Sequence, residues 1–143
     1  MTEKLPFKVG LVPYELRHER HLATIALSEL EWPRQDSPNE GCIGDLAPED
    51  HVVVYPSSTR LLRSLGSLVC KVDLILAEPL AIQGRYYKNL WALRHKFNSI
   101  FCRYGIYASR YSNVHQLPIV ESWVDGNLVD YRAPKFKLCS IIV

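Results

Sequence analysis

Apolar and polar positions along this chain fall into short blocks that change period repeatedly. Phe7 to Val12 reads as a strand closed by Pro13. Glu15 to Leu30 carries Leu16, Leu22, Ile25, Ala26 and Leu30, an imperfect helical stripe. From Glu31 to Asp50, prolines, glycines and acidic residues predict a long surface loop. His51 to Tyr55 contains Val-Val-Val and predicts a strand, and Pro56 to Thr59 opens a short helix through Leu65. Val72 to Ala77 is the next strand, ended by Glu78-Pro79 because proline cannot join a ladder. Gly84 to Phe97 is the clearest helix, with Tyr86, Leu90, Leu93 and Phe97 on one face. Then come a strand at Ser99–Cys102, a helix at Gly105–Arg110 and a strand at Val114–Val120. A loop, Glu121 to Pro134, and an apolar strand, Phe136 to Val143, complete the chain.

Strands alternating with helices predict an α/β fold: a Rossmann-like, mainly parallel sheet with helices on both faces. The 143 residues suffice for one domain, 1–143, and 48% hydrophobic content fits a folded core. The final run, Ile141-Ile142-Val143, reads as a strand buried on both faces, which normally leads onward. The expectation is therefore that the chain forms the first part of a larger protein.

Composition removes several function classes. A net charge of +2 is too small to argue for nucleic acid or an anionic membrane. No stretch is apolar for long enough to span a membrane, and the N-terminus carries no signal peptide. Cys42, Cys70, Cys102 and Cys139 are widely spaced, which predicts buried reduced thiols and no zinc site. These features together predict a cytoplasmic protein. Neither a P-loop nor Gly-x-Gly-x-x-Gly occurs, so no nucleotide or other cofactor site is expected within this chain. His18 and His21 have metal-compatible spacing but no third ligand nearby, and read as a solvated helix face.

In an open parallel sheet, ligands meet the loops at the carboxyl ends of the strands. Those loops are Pro13-Tyr14-Glu15, Pro56 to Arg60, Glu78 to Arg85, Arg103-Tyr104 and Glu121 to Trp123. Glu78 stands where an apolar strand ends, the position of a general base, or else of a carboxylate paired with Arg85 or Arg60, or of an acid at a helix N-terminus. Ser57, with Ser58 and Thr59, follows a strand and precedes a helix; it can cap that helix or hold a sugar hydroxyl. Arg85, Tyr86 and Tyr87 open the helix beside Glu78 and suit a polyhydroxylated ligand through hydrogen bonds and a ring face. Alternatively the tyrosines belong to the core and Arg85 to solvent.

The run from Ile75 to Phe97, Ile-Leu-Ala-Glu-Pro-Leu-Ala-Ile-Gln-Gly-Arg-Tyr-Tyr-Lys-Asn-Leu-Trp-Ala-Leu-Arg-His-Lys-Phe, resembles the family 10 glycosyltransferases. These are the α-1,3-fucosyltransferases and their bacterial lipopolysaccharide relatives. Tyr111-Ser112-Asn113-Val114 with Glu121-Ser122-Trp123-Val124, and the run Lys135 to Val143, resemble further passages of that family. The resemblance covers residues 50–143. It implies the N-terminal, acceptor-side half of a GT-B architecture, with the donor-binding half absent. It implies inverting, metal-independent sugar transfer from a nucleotide sugar, GDP-fucose-like, to a glycan or lipopolysaccharide acceptor. Glu78 takes the place of the proposed base, with Arg85, Tyr86 and Ser57 as acceptor contacts. A C-terminal donor-binding domain or equivalent partner would complete the enzyme, the isolated chain being inactive. The alternative from the residues alone is a non-catalytic α/β binding or interaction domain.

Overall fold

The computed structural model describes residues 6–13, 16, 21–33, 38, 40–56 and 64–117. Five strands form one sheet: β1 (Val9–Leu11), β2 (His51–Val54), β3 (Lys71–Leu76), β4 (Ile100–Cys102) and β5 (Val114–Gln116). Every pairing is parallel. The α/β, Rossmann-like sheet that the strand–helix alternation predicts is present. β-branched residues fill its centre, at Val52, Val53, Val54, Val72, Ile75 and Ile100, because they pack well on a pleated surface. The helices are α1 (Leu80–Lys88), α2 (Leu90–Leu93) and α3 (Gly105–Ala108).

The register sorts side chains onto two unlike faces. Gly10, Val52 and Val72 align across the sheet, as do Val54, Leu74, Ile100 and Val114. These residues are buried, together with Leu76 and Cys102. Each fully buried aliphatic side chain there contributes about 1.5–3 kcal/mol. The opposite face carries Val9, Leu11, His51, Val53, Ile75 and Phe101, all of them half-buried.

The strand order is β1-β2-β3-β4-β5, the order of the chain itself. Right-handed crossovers that always step the same way lay their connections on one face. Tyr87, Leu90 and Phe97 accordingly share a buried cluster with Val52, Leu74 and Ile100. The sequence predicts helices on both faces; among the described residues they bury on this one. Consecutive order also means that the reversal point of doubly wound sheets does not occur among the described strands.

Residues 21–30 correct the predicted helix Glu15–Leu30. They form two 3-10 turns, Leu22–Thr24 and Leu27–Glu29, separated by extended Ile25 and Ala26. The extended pair bonds elsewhere: Ile43 donates its amide to Ile25 O at 2.9 Å, and Ala26 bridges Cys42. This arrangement buries Leu22, Ile25, Leu27 and Leu30 at spacings no regular helix produces. The surface loop predicted at Glu31–Asp50 is corrected too, since Ile43 is 0% exposed and Leu46 is 2% exposed. Gly41 makes the approach possible, with φ of 95°, a conformation that strains any residue with a Cβ. Gly10 serves close packing instead: a Cβ there would lie 2.8 Å from Leu30 Cδ1.

The helix predicted at Gly84–Phe97 starts earlier and is broken. α1 begins at Leu80 after Pro79, is kinked at Gln83, and gives way at Asn89 to α2 and then a 3-10 turn at Arg94–Lys96. The break shifts the buried stripe, so that Tyr87 is buried and Tyr86 half-buried. The predicted final strand at Phe136–Val143 and the short helix from Pro56 fall largely or wholly outside the described residues.

On the second face, Asp73 is a buried carboxylate with both oxygens occupied. His51 Nδ1 lies 2.6 Å from Oδ2, and Asn98 Nδ2 donates to Oδ1 at 2.8 Å. Phe7 packs on the His51 ring at 5.1 Å. Each oxygen of this buried carboxyl group thus has a hydrogen-bonding neighbour, as buried polar groups require.

Candidate functional site

Because all five strands are parallel, their carboxyl ends share one edge of the sheet. β3 ends there with Ala77-Glu78-Pro79 and β4 with Arg103-Tyr104. Proline at 79 stops the ladder and fixes the entry into α1, since it has no N–H and a fixed φ. Glu78 is thereby held on a short corner between a buried strand and a helix.

Backbone bonds pin this corner from several directions. Glu78 N donates to Gln83 Oε1 at 3.2 Å, and Arg103 Nη1 donates to Ala77 O at 3.2 Å. Leu80 N donates to the Tyr104 hydroxyl at 3.1 Å, satisfying an amide that the first turn of α1 leaves open. Beneath lies Tyr87, 2% exposed, whose hydroxyl donates to Leu76 O at 2.9 Å and weakly to Glu78 O at 3.4 Å. Burial pushes the Tyr87 phenol up to about 12. Its ring meets Tyr104 edge-on at 5.2 Å and Tyr107 at 5.2 Å, forming an aromatic floor under the corner.

The Glu78 carboxylate itself is half-buried and has no hydrogen-bond or ion-pair partner among the described residues. Arg85 is exposed on the outer side of α1 and does not pair with it. Tyr86 packs partly against the core cluster. Ser57 and Arg60 lie outside the described residues. The structure therefore brings Glu78 together with Gln83, Arg103 and Tyr104 instead of with Arg85. Arg103 carries a signal that sequence reasoning can use: it directly follows β4, and Glu78 stands two residues after β3, so adjacent parallel strands bring the two ends together. Gln83 offered no such signal, because its role depends on the kink in α1.

A carboxylate free of partners can accept a proton from a hydroxyl beside it. The Arg103 guanidinium makes no second hydrogen bond among the described residues, leaving donors for an oxygen-rich ligand. Tyr104 and Tyr107 are half-buried and present ring surface of the kind sugar rings pack on. No group of three His, Cys, Asp or Glu among the described residues converges to hold a metal. Cys70 and Cys102 are buried free thiols, and burial raises the pKa of both, so neither is poised as a nucleophile. No helix among the described residues is long and apolar enough to cross a membrane. No family model, no curated protein and no solved structure matches this chain.

Proposed function

We propose that this chain is the acceptor-side domain of a metal-independent, inverting glycosyltransferase of fucosyltransferase type. The observation that carries the reading is the half-buried carboxylate of Glu78, without a partner among the described residues, on a pinned corner at the carboxyl edge of a parallel sheet. In this reading Glu78 removes the proton from an acceptor hydroxyl as that oxygen attacks the anomeric carbon of a nucleotide sugar. Arg103 and the Tyr104 ring hold the glycan or lipopolysaccharide acceptor, with Arg85, Tyr86 and Ser57 further out. The donor, GDP-fucose-like, is held by a donor-binding domain. Gly-rich nucleotide motifs are missing from this sequence, which supports assigning the donor elsewhere.

A second reading, a non-catalytic α/β binding or interaction domain, is favoured by the consecutive strand order. Without a reversal among the described strands, no crevice of the doubly wound kind opens at the edge.

Kinetics separate the two. With a donor domain supplied in cis or in trans, Glu78→Gln keeps the shape and removes the basicity. Loss of a general base lowers kcat by about 10²–10⁴, with little change in acceptor KM. A kcat within a few-fold of the parent rejects the base assignment. Absence of transfer with any donor domain leaves the binding-domain reading standing.

A further inference from the structure

Charge is segregated along this chain in a way that the net value of +2 conceals. All 15 acidic residues lie at or before Glu78, or at or after Glu121. The stretch between them carries Arg85, Lys88, Arg94, Lys96, Arg103 and Arg110 and no acid to balance them. The outer face of α1 and α2 draws on this stretch. Ile82, Arg85 and Lys88 of α1, Trp91 of α2 and His95 of the 3-10 turn that follows are all exposed. Tyr87, Leu90 and Phe97 take the inner face. Among the described residues, Arg85, Lys88 and Lys96 pair with no carboxylate.

Two of the outward residues are large and apolar. Ile82 is 70% exposed and Trp91 is 64% exposed, and both are interleaved with the cations. Solvation explains Arg85 and Lys88 but gives no account of Ile82 and Trp91. A soluble polyanion would neutralise the cations and leave Ile82 in water. A bilayer surface satisfies both sets at once. Anionic headgroups attract the Lys and Arg side chains, and the interfacial region takes up tryptophan and isoleucine. We propose that the α1–α2 face docks on the surface of an anionic lipid bilayer, lying on it without spanning it. The proposal stands on this face alone and does not depend on the acceptor-site reading.

Vesicle sedimentation tests it, using vesicles of phosphatidylcholine alone and of phosphatidylcholine with phosphatidylglycerol. The chain is expected to bind the anionic vesicles and not the neutral ones. Arg85→Glu with Lys88→Glu should weaken binding by more than about tenfold. Salt at about 1 M should release the parent chain. Trp91 should move into an apolar setting, so vesicles shift tryptophan emission to the blue, and Trp91→Phe removes that shift. All these positions are exposed, and an unchanged far-UV circular dichroism spectrum checks each variant's fold. Equal binding to neutral vesicles, no binding to anionic ones, or a blue shift that persists in Trp91→Phe overturns the proposal. So does binding to heparin without binding to vesicles, which identifies a polyelectrolyte site instead.

Discussion

Tyr87 shows how one side chain can tie a candidate site to the core beneath it. Its hydroxyl is the buried donor for Leu76 O and a weaker one for Glu78 O, so it fixes the last residues of β3 just where the candidate base projects. Tyr87→Phe removes that donor and leaves a buried carbonyl unsatisfied. The expected cost is about 1–3 kcal/mol in a denaturant titration. The phenol also predicts a pH effect. Its pKa stands near 10 in the unfolded chain and is pushed by burial to about 12 in the folded one. Between those values the unfolded state has released the proton and the folded state still holds it. This contribution to stability is therefore fully present below pH 10 and is lost as pH rises toward 12, on the order of 2 kcal/mol in all. Stability measured across that window should fall more steeply in the parent than in Tyr87→Phe, and equal slopes would show that the hydroxyl is not buried. The sequence pattern selected Tyr86 for the inner face because it assumed an unbroken helix. The turn at Asn89 rotates that face by one residue, and nothing local in the sequence announces the turn.

At the scale of elements, legibility follows from how each element is stabilised. β2 and β3 could be read because their continuous apolar runs have a single use, burial in a sheet. β4 and α3 could be read because an apolar run ends at the turn residues Arg103-Tyr104-Gly105. Residues 21–46 could not. Their order comes from contacts across sequence, such as Leu27 N to Gly41 O at 3.0 Å and Ile43 N to Ile25 O at 2.9 Å. Periodicity registers neighbours and is blind to such pairs. Polar composition marked the second half of this region as surface, yet it carries Ile43, fully buried. Ile43→Ala should therefore behave as a core substitution and cost about 2–5 kcal/mol. A cost below about 0.5 kcal/mol in thermal or denaturant unfolding would restore the surface-loop reading.

For the whole molecule, parallel strands in consecutive order divide the labour between one sealed face and one edge. The sealed face supplies the stability, and the edge collects the chain ends that carry Glu78 and Arg103. Glu78 was legible as a candidate because a charged residue directly after an apolar strand has few structural uses. Arg103 and Tyr104 were legible as a further strand-end loop, but not their bonds to this corner, which form only through tertiary packing. The central claim, that this edge receives an acceptor sugar and no nucleotide, is open to a direct measurement. Backbone amide spectra of the labelled chain can be titrated separately with a lipopolysaccharide-core oligosaccharide and with GDP-fucose. The account predicts that the oligosaccharide shifts the amides of Glu78, Gln83, Arg103 and Tyr104, and that GDP-fucose leaves them unmoved. Saturable binding of GDP-fucose in the range of about 1 μM, or oligosaccharide shifts confined to residues far from this edge, would contradict it.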